Sequence, residues 1–218
     1  MKNILKVMSF LLFSIFLLQN NYIAQDYGIG LKVSTRGFGI DVLRSFGSQF
    51  NLRAGAAFFS ISPDGGDETD DYKYSANLNL SSVVLLGDYY PFDNAIRITA
   101  GGIINLNSAD IDLIPTKSYS VGGDVYDPES LGSLSAAVDF NTFAPYIGLG
   151  IGNPLKGQSS LQFTFDVGTM YQGGAGVDLS ASGLLEPSAA PDQEDQLEQN
   201  LSWFKWYPVV SLGIFYKF

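Results

Sequence analysis

The sequence predicts an all-β protein, an eight-stranded antiparallel up-and-down transmembrane β-barrel behind a cleaved N-terminal signal peptide. Three observations carry this. Short segments in which apolar residues alternate with small or polar ones recur along the chain, as they do when lipid-facing and lumen-facing positions swap at every step. The connections between these segments alternate between short and long. Beyond the N-terminus no segment approaches 18 consecutive apolar residues, so a membrane is crossed by strands or not at all.

At the N-terminus, Lys2 and Lys6 precede the apolar run Met8 to Leu18. That run has the length of a signal-peptide core and is short for a spanning helix. Cleavage is expected after Ala24, although Tyr22 is bulkier than the usual rule prefers. An uncleaved anchor helix is the alternative. Residues 1–24 are therefore set aside, and 25–218 form one barrel domain.

The first strand covers 27–34, with Tyr27, Ile29, Leu31 and Val33 outward and Gly28, Gly30, Lys32 and Ser34 inward. Thr35 and Arg36 turn the chain into a second strand, 37–45, with Phe38, Ile40 and Val42 outward and Asp41 inward. After the short turn at 47–49, a third strand, 50–60, places Phe50, Leu52, Ala54, Ala56 and Phe58 outward and Asn51, Arg53, Gly55 and Ala57 inward. A polar loop at 63–71 precedes a fourth strand, 73–91. There Leu78, Leu80, Val84 and Leu86 read as outward against Asn77, Asn79 and Ser81. The pattern blurs at Val83-Val84-Leu85-Leu86, where a bulge would shift the register and turn Asp88 inward. A tight turn at 93–95 leads to a fifth strand, 96–108, with Ile96, Ile98, Ala100, Ile104 and Leu106 outward and Arg97, Thr99, Gly101 and Asn105 inward. The segment 109–138 reads as a long loop carrying a small hairpin about Gly122-Gly123. A sixth strand, 139–151, contains Pro145, which lacks a ladder donor and belongs near a rim or bulge. The turn at 153–158 leads to a seventh strand, 160–172, with Asp166 inward. The long loop 173–205 precedes an eighth strand, 206–218, whose Val210, Leu212, Ile214, Tyr216 and Phe218 share one face.

After the first tight loop, short turns (47–49, 93–95, 153–158) alternate with long loops (62–72, 109–138, 173–205). Bacterial barrels of this kind put short turns on one side of the membrane and long loops on the other. Eight strands satisfy that parity. Ten would need a spanning pair from 109–138, and its hairpin is too short for the 9–11 residues each strand requires. A soluble β-sandwich would show polar outer faces, whereas here one face of nearly every strand is apolar.

Composition narrows the functions. Without the signal, which holds two lysines and no acid, the net charge of −10 becomes −12, so nucleic acid is not an expected partner. The chain has no Cys and no His, which removes disulfides, thiolate chemistry and the commonest base and zinc ligand. Its 24 Gly and 28 Phe and Tyr on short alternating segments are a barrel composition.

The stretch Asn141-Thr142-Phe143-Ala144-Pro145-Tyr146-Ile147-Gly148-Leu149-Gly150, with Phe204-Lys205-Trp206-Tyr207-Pro208-Val209-Val210-Ser211-Leu212-Gly213 and Phe50-Asn51-Leu52-Arg53, resembles a widespread family of small bacterial outer-membrane β-barrel proteins. The architecture is similar to OmpA-type and OmpX-type eight-stranded barrels. Leu212, Ile214, Tyr216 and Phe218 resemble the C-terminal insertion signal of such proteins. The resemblance implies the outer membrane of a Gram-negative bacterium, with both termini periplasmic and the chain a monomer. Its implied partners are outer-membrane lipid, lipopolysaccharide and the barrel-assembly machinery. Barrel enzymes that act on lipid A, phospholipid or peptide resemble this chain in fold and rely on a catalytic His. This chain has none, so no enzyme, catalytic residue, cofactor or metal is expected.

The remaining candidate sites are three. Lys32, Asp41, Arg53, Arg97 and Asp166 point into the lumen, and Asp88 joins them if a bulge intervenes. An eight-stranded barrel is just wide enough for side chains to fill, so these charges pair as a structural plug or line a narrow selective pore. In the plug reading, neutralising Arg53 or Arg97 harms stability more than it changes permeability. The acidic run 64–71 is a solvated loop or a weak divalent-cation site, and it lacks EF-hand spacing. Residues 191–206 form a short amphipathic helix over the mouth or at the interface, or a loop anchored by Trp203 and Trp206. The favoured function is a structural and surface-interaction scaffold with a filled lumen and acidic loops. The alternative is a narrow channel for ions or small solutes, for which the many inward glycines would leave room.

Overall fold

The computed structural model describes residues 27–67, 69–92, 94–121 and 124–218. The signal-peptide reading of 1–24 lies outside them, as do Glu68, Asp93 and the Gly122-Gly123 turn. Eight strands close the barrel: β1 (Tyr27–Ser34), β2 (Gly37–Ser45), β3 (Phe50–Ile61), β5 (Tyr72–Tyr89), β6 (Ile96–Asn105), β11 (Phe143–Ile151), β12 (Leu161–Tyr171) and β14 (Trp206–Lys217). Each pairs antiparallel with its neighbour. β1 meets β14, and β5 meets β6, so no edge is left in the ring. Between them lie β4 (Asp64–Gly65), β7 (Ser108–Pro115), β8 (Tyr119–Val121), β9 (Asp124–Tyr126), α1 (Pro128–Leu131), β10 (Leu134–Asp139), β13 (Gly176–Ala181) and α2 (Pro191–Asn200). Pro145 fits its place: the β11–β12 ladder begins one residue later, at Tyr146.

The outer face is an apolar belt. Leu31, Ile98, Ile147, Leu149, Phe163 and Leu212 project from five different strands with large exposed areas. A surface this apolar and this continuous needs lipid, not water. Aromatic residues mark its two margins: Tyr171 packs on Trp206 at 4.9 Å on the long-loop side, and Tyr216 meets Phe218 edge-to-face at 5.5 Å on the short-turn side.

The fourth predicted strand is corrected. β3 and β5 pair without a skipped residue from Phe50↔Tyr89 to Ile61↔Leu78, so there is no bulge. Asp88 points inward in that uninterrupted register, and Val84 and Leu86 point inward with it. Leu78 and Leu80 share their side of the sheet, while Asn77, Asn79 and Ser81 face outward. The polarity of the two faces inverts along the strand. Near the short turns, Val83, Leu85 and Tyr89 face lipid. Beyond Ser81 the outer face becomes Asn79, Asn77, Ser75 and Lys73. The strand leaves the bilayer there, and water replaces lipid outside it.

The segment 109–138 is likewise not a loop. β7 continues β6 in the same register against β5, from Ser82↔Asn105 to Tyr72↔Pro115. Leu106 and Asn107 interrupt it, and the Asn107 carboxamide accepts a hydrogen bond from the Ser81 amide at 3.1 Å. β10 continues β11 against β7, and β13 adds to β10. The upper half of β5 with β7, β10 and β13 forms a wall above one side of the mouth. On the other side β1 and β2 end low, at Thr35-Arg36. The Tyr207 hydroxyl donates to the Thr35 carbonyl at 2.6 Å and holds that turn down. The small hairpin expected about 122–123 is present as β8 paired with β9.

The boundary is testable. Ile147→Arg, on the lipid face, is expected to destabilise the barrel by about 2–4 kcal/mol in a bilayer. Ser75→Arg, outward on the wall, is expected to change stability by less than about 0.5 kcal/mol. Urea unfolding in liposomes distinguishes them. Equal costs would place the wall in lipid.

Candidate functional site: the sealed lumen and its wall

Alternation sends every second side chain into a space about one side chain deep. The six lumen charges named from the sequence meet there. Lys32 Nζ lies 3.0 Å from Asp41 Oδ2, as adjacent strands across a tight turn allow. Arg53 Nη2 reaches Asp88 Oδ1 at 2.8 Å, and its Nη1 lies 3.5 Å from Asp166 and 3.9 Å from Asp41. Arg97 Nη2 reaches Asp166 Oδ1 at 2.6 Å, with its Nε 3.6 Å from Asp88. Lys32 also lies 3.9 Å from Asp166. Three cations therefore face three carboxylates, and the cluster is charge-neutral. Hydroxyls complete it: Thr99 donates to Asp88 at 2.6 Å and Ser211 to Asp166 at 3.3 Å. Arg97 also donates to the Gly152 carbonyl. Arg53 and Arg97 are 1% and 0% exposed, so their charges are satisfied by these partners and not by bulk solvent.

Apolar layers lie on both sides of this cluster. Toward the long loops, Val84, Leu86, Ile103, Ala144, Tyr146, Met170 and Val209 pack as one core, with Tyr207 against it. Toward the short turns, Leu43, Tyr90, Pro154 and Phe215 are fully buried. Burial pushes the Tyr90 phenol up to about 12, so it stays neutral, and Asn51 donates to its oxygen at 3.4 Å.

The inward glycines do not leave a wet path. Several make room for a large or charged neighbour. A Cβ on Gly30 would overlap the Phe215 ring, and one on Gly55 would overlap the Asp41 carboxylate. A Cβ on Gly148 or Gly168 would strike the Tyr146 hydroxyl, and one on Gly150 would meet Arg97 at 2.7 Å.

Sequence reasoning missed Arg36, which it took only as a turn residue. Its side chain folds back over the mouth, 4% exposed, and donates to Ser82 Oγ at 2.7 Å. Alternation assigns no face to a turn, so no sequence signal pointed there. Val84 and Leu86 were missed because they share the alternation of Leu78 and Leu80, which was read as the outward face. Leu212, Ile214, Tyr216 and Phe218, the residues that resemble an insertion signal, stand outward on and beside β14.

The 173–205 segment is built around β13 and α2. Pro191 opens the helix, and Asp192 and Glu194 lie in its first turn, where the positive end of the helix dipole favours them. The helix buries none of its residues, and Leu201 and Phe204 fall beyond it. Glu194 and Glu198, one turn apart, accept hydrogen bonds from the Leu179 and Val177 amides at 2.9 and 3.2 Å. They occupy the donors of the β13 edge, where a further strand would otherwise pair. In the loop 64–71, Asp70 accepts from the Asp67 amide at 2.9 Å and Asp71 pairs with Lys117 at 2.9 Å, both in exposed positions.

No protein-family model and no curated protein sequence matches the chain. Two solved structures from Acinetobacter baumannii are similar to it. CarO2 is 21% identical over 88% of this chain and 98% of its own, with a TM-score of 0.58. CarO is 21% identical over 92% of this chain and all of its own, also at 0.58. A major outer membrane protein from Thermus thermophilus is 13% identical at a TM-score of 0.38, too distant to bear on the argument. At this identity the likeness is one of fold, and the fold shared with the two Acinetobacter proteins is the closed eight-stranded antiparallel β-barrel.

Proposed function

We propose that this chain is an outer-membrane β-barrel protein of a Gram-negative bacterium that acts as a structural and surface-interaction scaffold. The short turns and both termini lie in the periplasm, and the long-loop wall faces the medium. Outer-membrane lipid, lipopolysaccharide and the assembly machinery are its partners, the chain is a monomer, and it performs no catalysis. One observation carries the sealed-scaffold reading: a charge-neutral cluster is enclosed between two apolar layers, so an ion on the barrel axis meets packed side chains above and below it. Dewetted apolar constrictions close pores even where charges would attract an ion.

The test is conductance. Refolded protein, shown by heat-modifiable gel mobility to have formed its barrel, is expected to leave a planar bilayer silent. Discrete and reproducible openings would overturn the scaffold reading and make Lys32, Arg53 and Arg97 selectivity candidates.

A further inference from the structure

At the short-turn end of β2 a cation stands on the lipid-facing side of the barrel. Phe38, Ile40, Val42 and Arg44 alternate outward along that strand, while Asp41 and Leu43 are buried in the lumen. Arg44 is paired with Tyr27 on β1 and with Leu52 on β3, and both of these also point outward. Its guanidinium carbon lies 5.4 Å from the centre of the Tyr27 ring and 4.9 Å from that of Phe46. Phe46 in turn meets Phe50 edge-on at 6.5 Å. These rings continue the aromatic margin of Tyr216 and Phe218, since the Phe218 amide donates to the Tyr27 carbonyl at 3.2 Å. An arginine facing lipid is costly at the bilayer centre and cheap at the interface, so this margin lies at headgroup depth.

Rings flank the Arg44 guanidinium, and among the described residues no carboxylate or carbonyl takes its protons, whereas the three lumen cations are each paired. A planar fork of N–H donors is thus left at the depth where lipid phosphates stand, and its geometry matches two phosphate oxygens at once. Charge selects the headgroup. The described residues of the short turns 46–49, 90–95 and 152–160 include Lys156 and no carboxylate side chain. Lys217, paired with Gly28 beside Tyr27, adds a further cation and donates to the Gly157 carbonyl at 2.6 Å. At the opposite end, the segments 62–80, 106–142 and 172–205 hold 17 of the 22 acidic residues. Anions are therefore favoured at the short-turn margin and repelled at the long-loop one. We propose that Arg44, framed by Tyr27 and Phe46, binds the phosphate of an anionic phospholipid whose chains lie along the outward face of β1, β2 and β3. This deepens the proposed partnership with outer-membrane lipid, and it rests on the periplasmic reading of the short turns for its assignment to the inner leaflet.

The experiment uses the full barrel in dodecyl maltoside micelles, which carry no phosphate, with the Arg44 Nε–H and the Tyr27 and Phe46 amides followed by NMR. The probe is dihexanoylphosphatidylglycerol, with dihexanoylphosphatidylcholine, dihexanoylglycerol and inorganic phosphate beside it. Saturable shifts at all three groups are expected for phosphatidylglycerol. Binding of phosphatidylcholine, whose ammonium opposes the guanidinium, is expected to be about fivefold weaker, the scale of one exposed charge pair. No saturable shift is expected for dihexanoylglycerol, or for inorganic phosphate at the same concentration. Arg44→Gln, in a barrel shown by heat-modifiable mobility to have formed, is expected to abolish the shifts at Tyr27 and Phe46. Arg44→Lys is expected to retain them at lower affinity. Lys73→Gln, the same charge change on the outer face of the wall, is expected to leave them unchanged. Shifts that survive Arg44→Gln, or equal shifts with dihexanoylglycerol, would overturn the phosphate site. Equal affinity for the two phospholipids would overturn the anionic class, and an equal response to inorganic phosphate would overturn the lipid. Asp26→Asn is expected to leave the Arg44 Nε–H resonance of lipid-free micelles in place, and its movement would assign the fork to that carboxylate instead. Labelling of Lys117→Cys by an impermeant reagent on intact cells reads the orientation separately, so the leaflet and the binding fail independently.

Discussion

Replacing Arg53 by alanine is expected to destabilise the barrel by about 3–5 kcal/mol, because it strands buried carboxylates rather than removing one contact. Arg53 stands among Asp41, Asp88 and Asp166, and all of these groups are nearly inaccessible to solvent. Without it, Lys32 and Arg97 are left to balance three negative charges. Arg53→Lys is expected to recover only part of the loss, since a point charge cannot reproduce a fork that bonds Asp88 through one nitrogen and approaches Asp166 and Asp41 through the other. The exposed pair Lys117–Asp71 is the internal control. Its two side chains are 47% and 62% exposed, and Lys117→Ala is expected to cost under about 1 kcal/mol. Urea unfolding in liposomes, followed through Trp203 and Trp206, reads all three. Arg53→Ala should also leave bilayer conductance unchanged, because both apolar layers remain. A rise in conductance with an unchanged unfolding midpoint would contradict the plug.

Phe215→Ala is expected to cost about 3–5 kcal/mol, the range for emptying a packed aromatic site. Its ring is fully buried and lies over Gly30, leaving no room there for a side chain. Gly30→Ala is expected to cost about 1–3 kcal/mol by overpacking, since the added carbon would strike the Phe215 ring and displace it. The two costs should not add. With the ring gone the methyl fits, so the double variant should be more stable than the sum of the single changes predicts. Additive losses would show that Gly30 is required for its backbone and not for the space it leaves. The coupling separates two uses of a lumen glycine: leaving a path for water, and accommodating a neighbour.

Strand number and barrel closure were legible in the chain because membrane strands have a period of two and their connections have a parity. Lys32, Asp41, Arg53, Arg97 and Asp166 were assigned inward from that period alone, and the structure places them within one another's reach. Asp88 was assigned only through a bulge that does not exist. The sequence shows that the alternation slips at Val83–Leu86, and a bulge and a change of solvent produce the same slip. β5 runs straight from lipid into water, and its apolar face changes sides at that boundary. Only the ladder of pairs with β3 distinguishes the two causes.

The other matters decided by tertiary structure share a reason: they depend on what lies opposite a residue, which a single chain does not record. An inward glycine is space in the sequence, and it becomes filled space only when Phe215, Tyr146 or Arg97 is found lying over it. Arg36 has no face until the turn that carries it is pinned by Tyr207. The segment 109–138 looks like a loop because its polar outer face is that of a water-exposed sheet, and its strands are visible only where β7 pairs with β5 and β10 with β7 and β13. Periodicity in the chain specified a barrel and which charges enter it, because both follow from local geometry. The sealing of the lumen depends on side chains brought together from distant strands, and only the closed sheet sets that alignment.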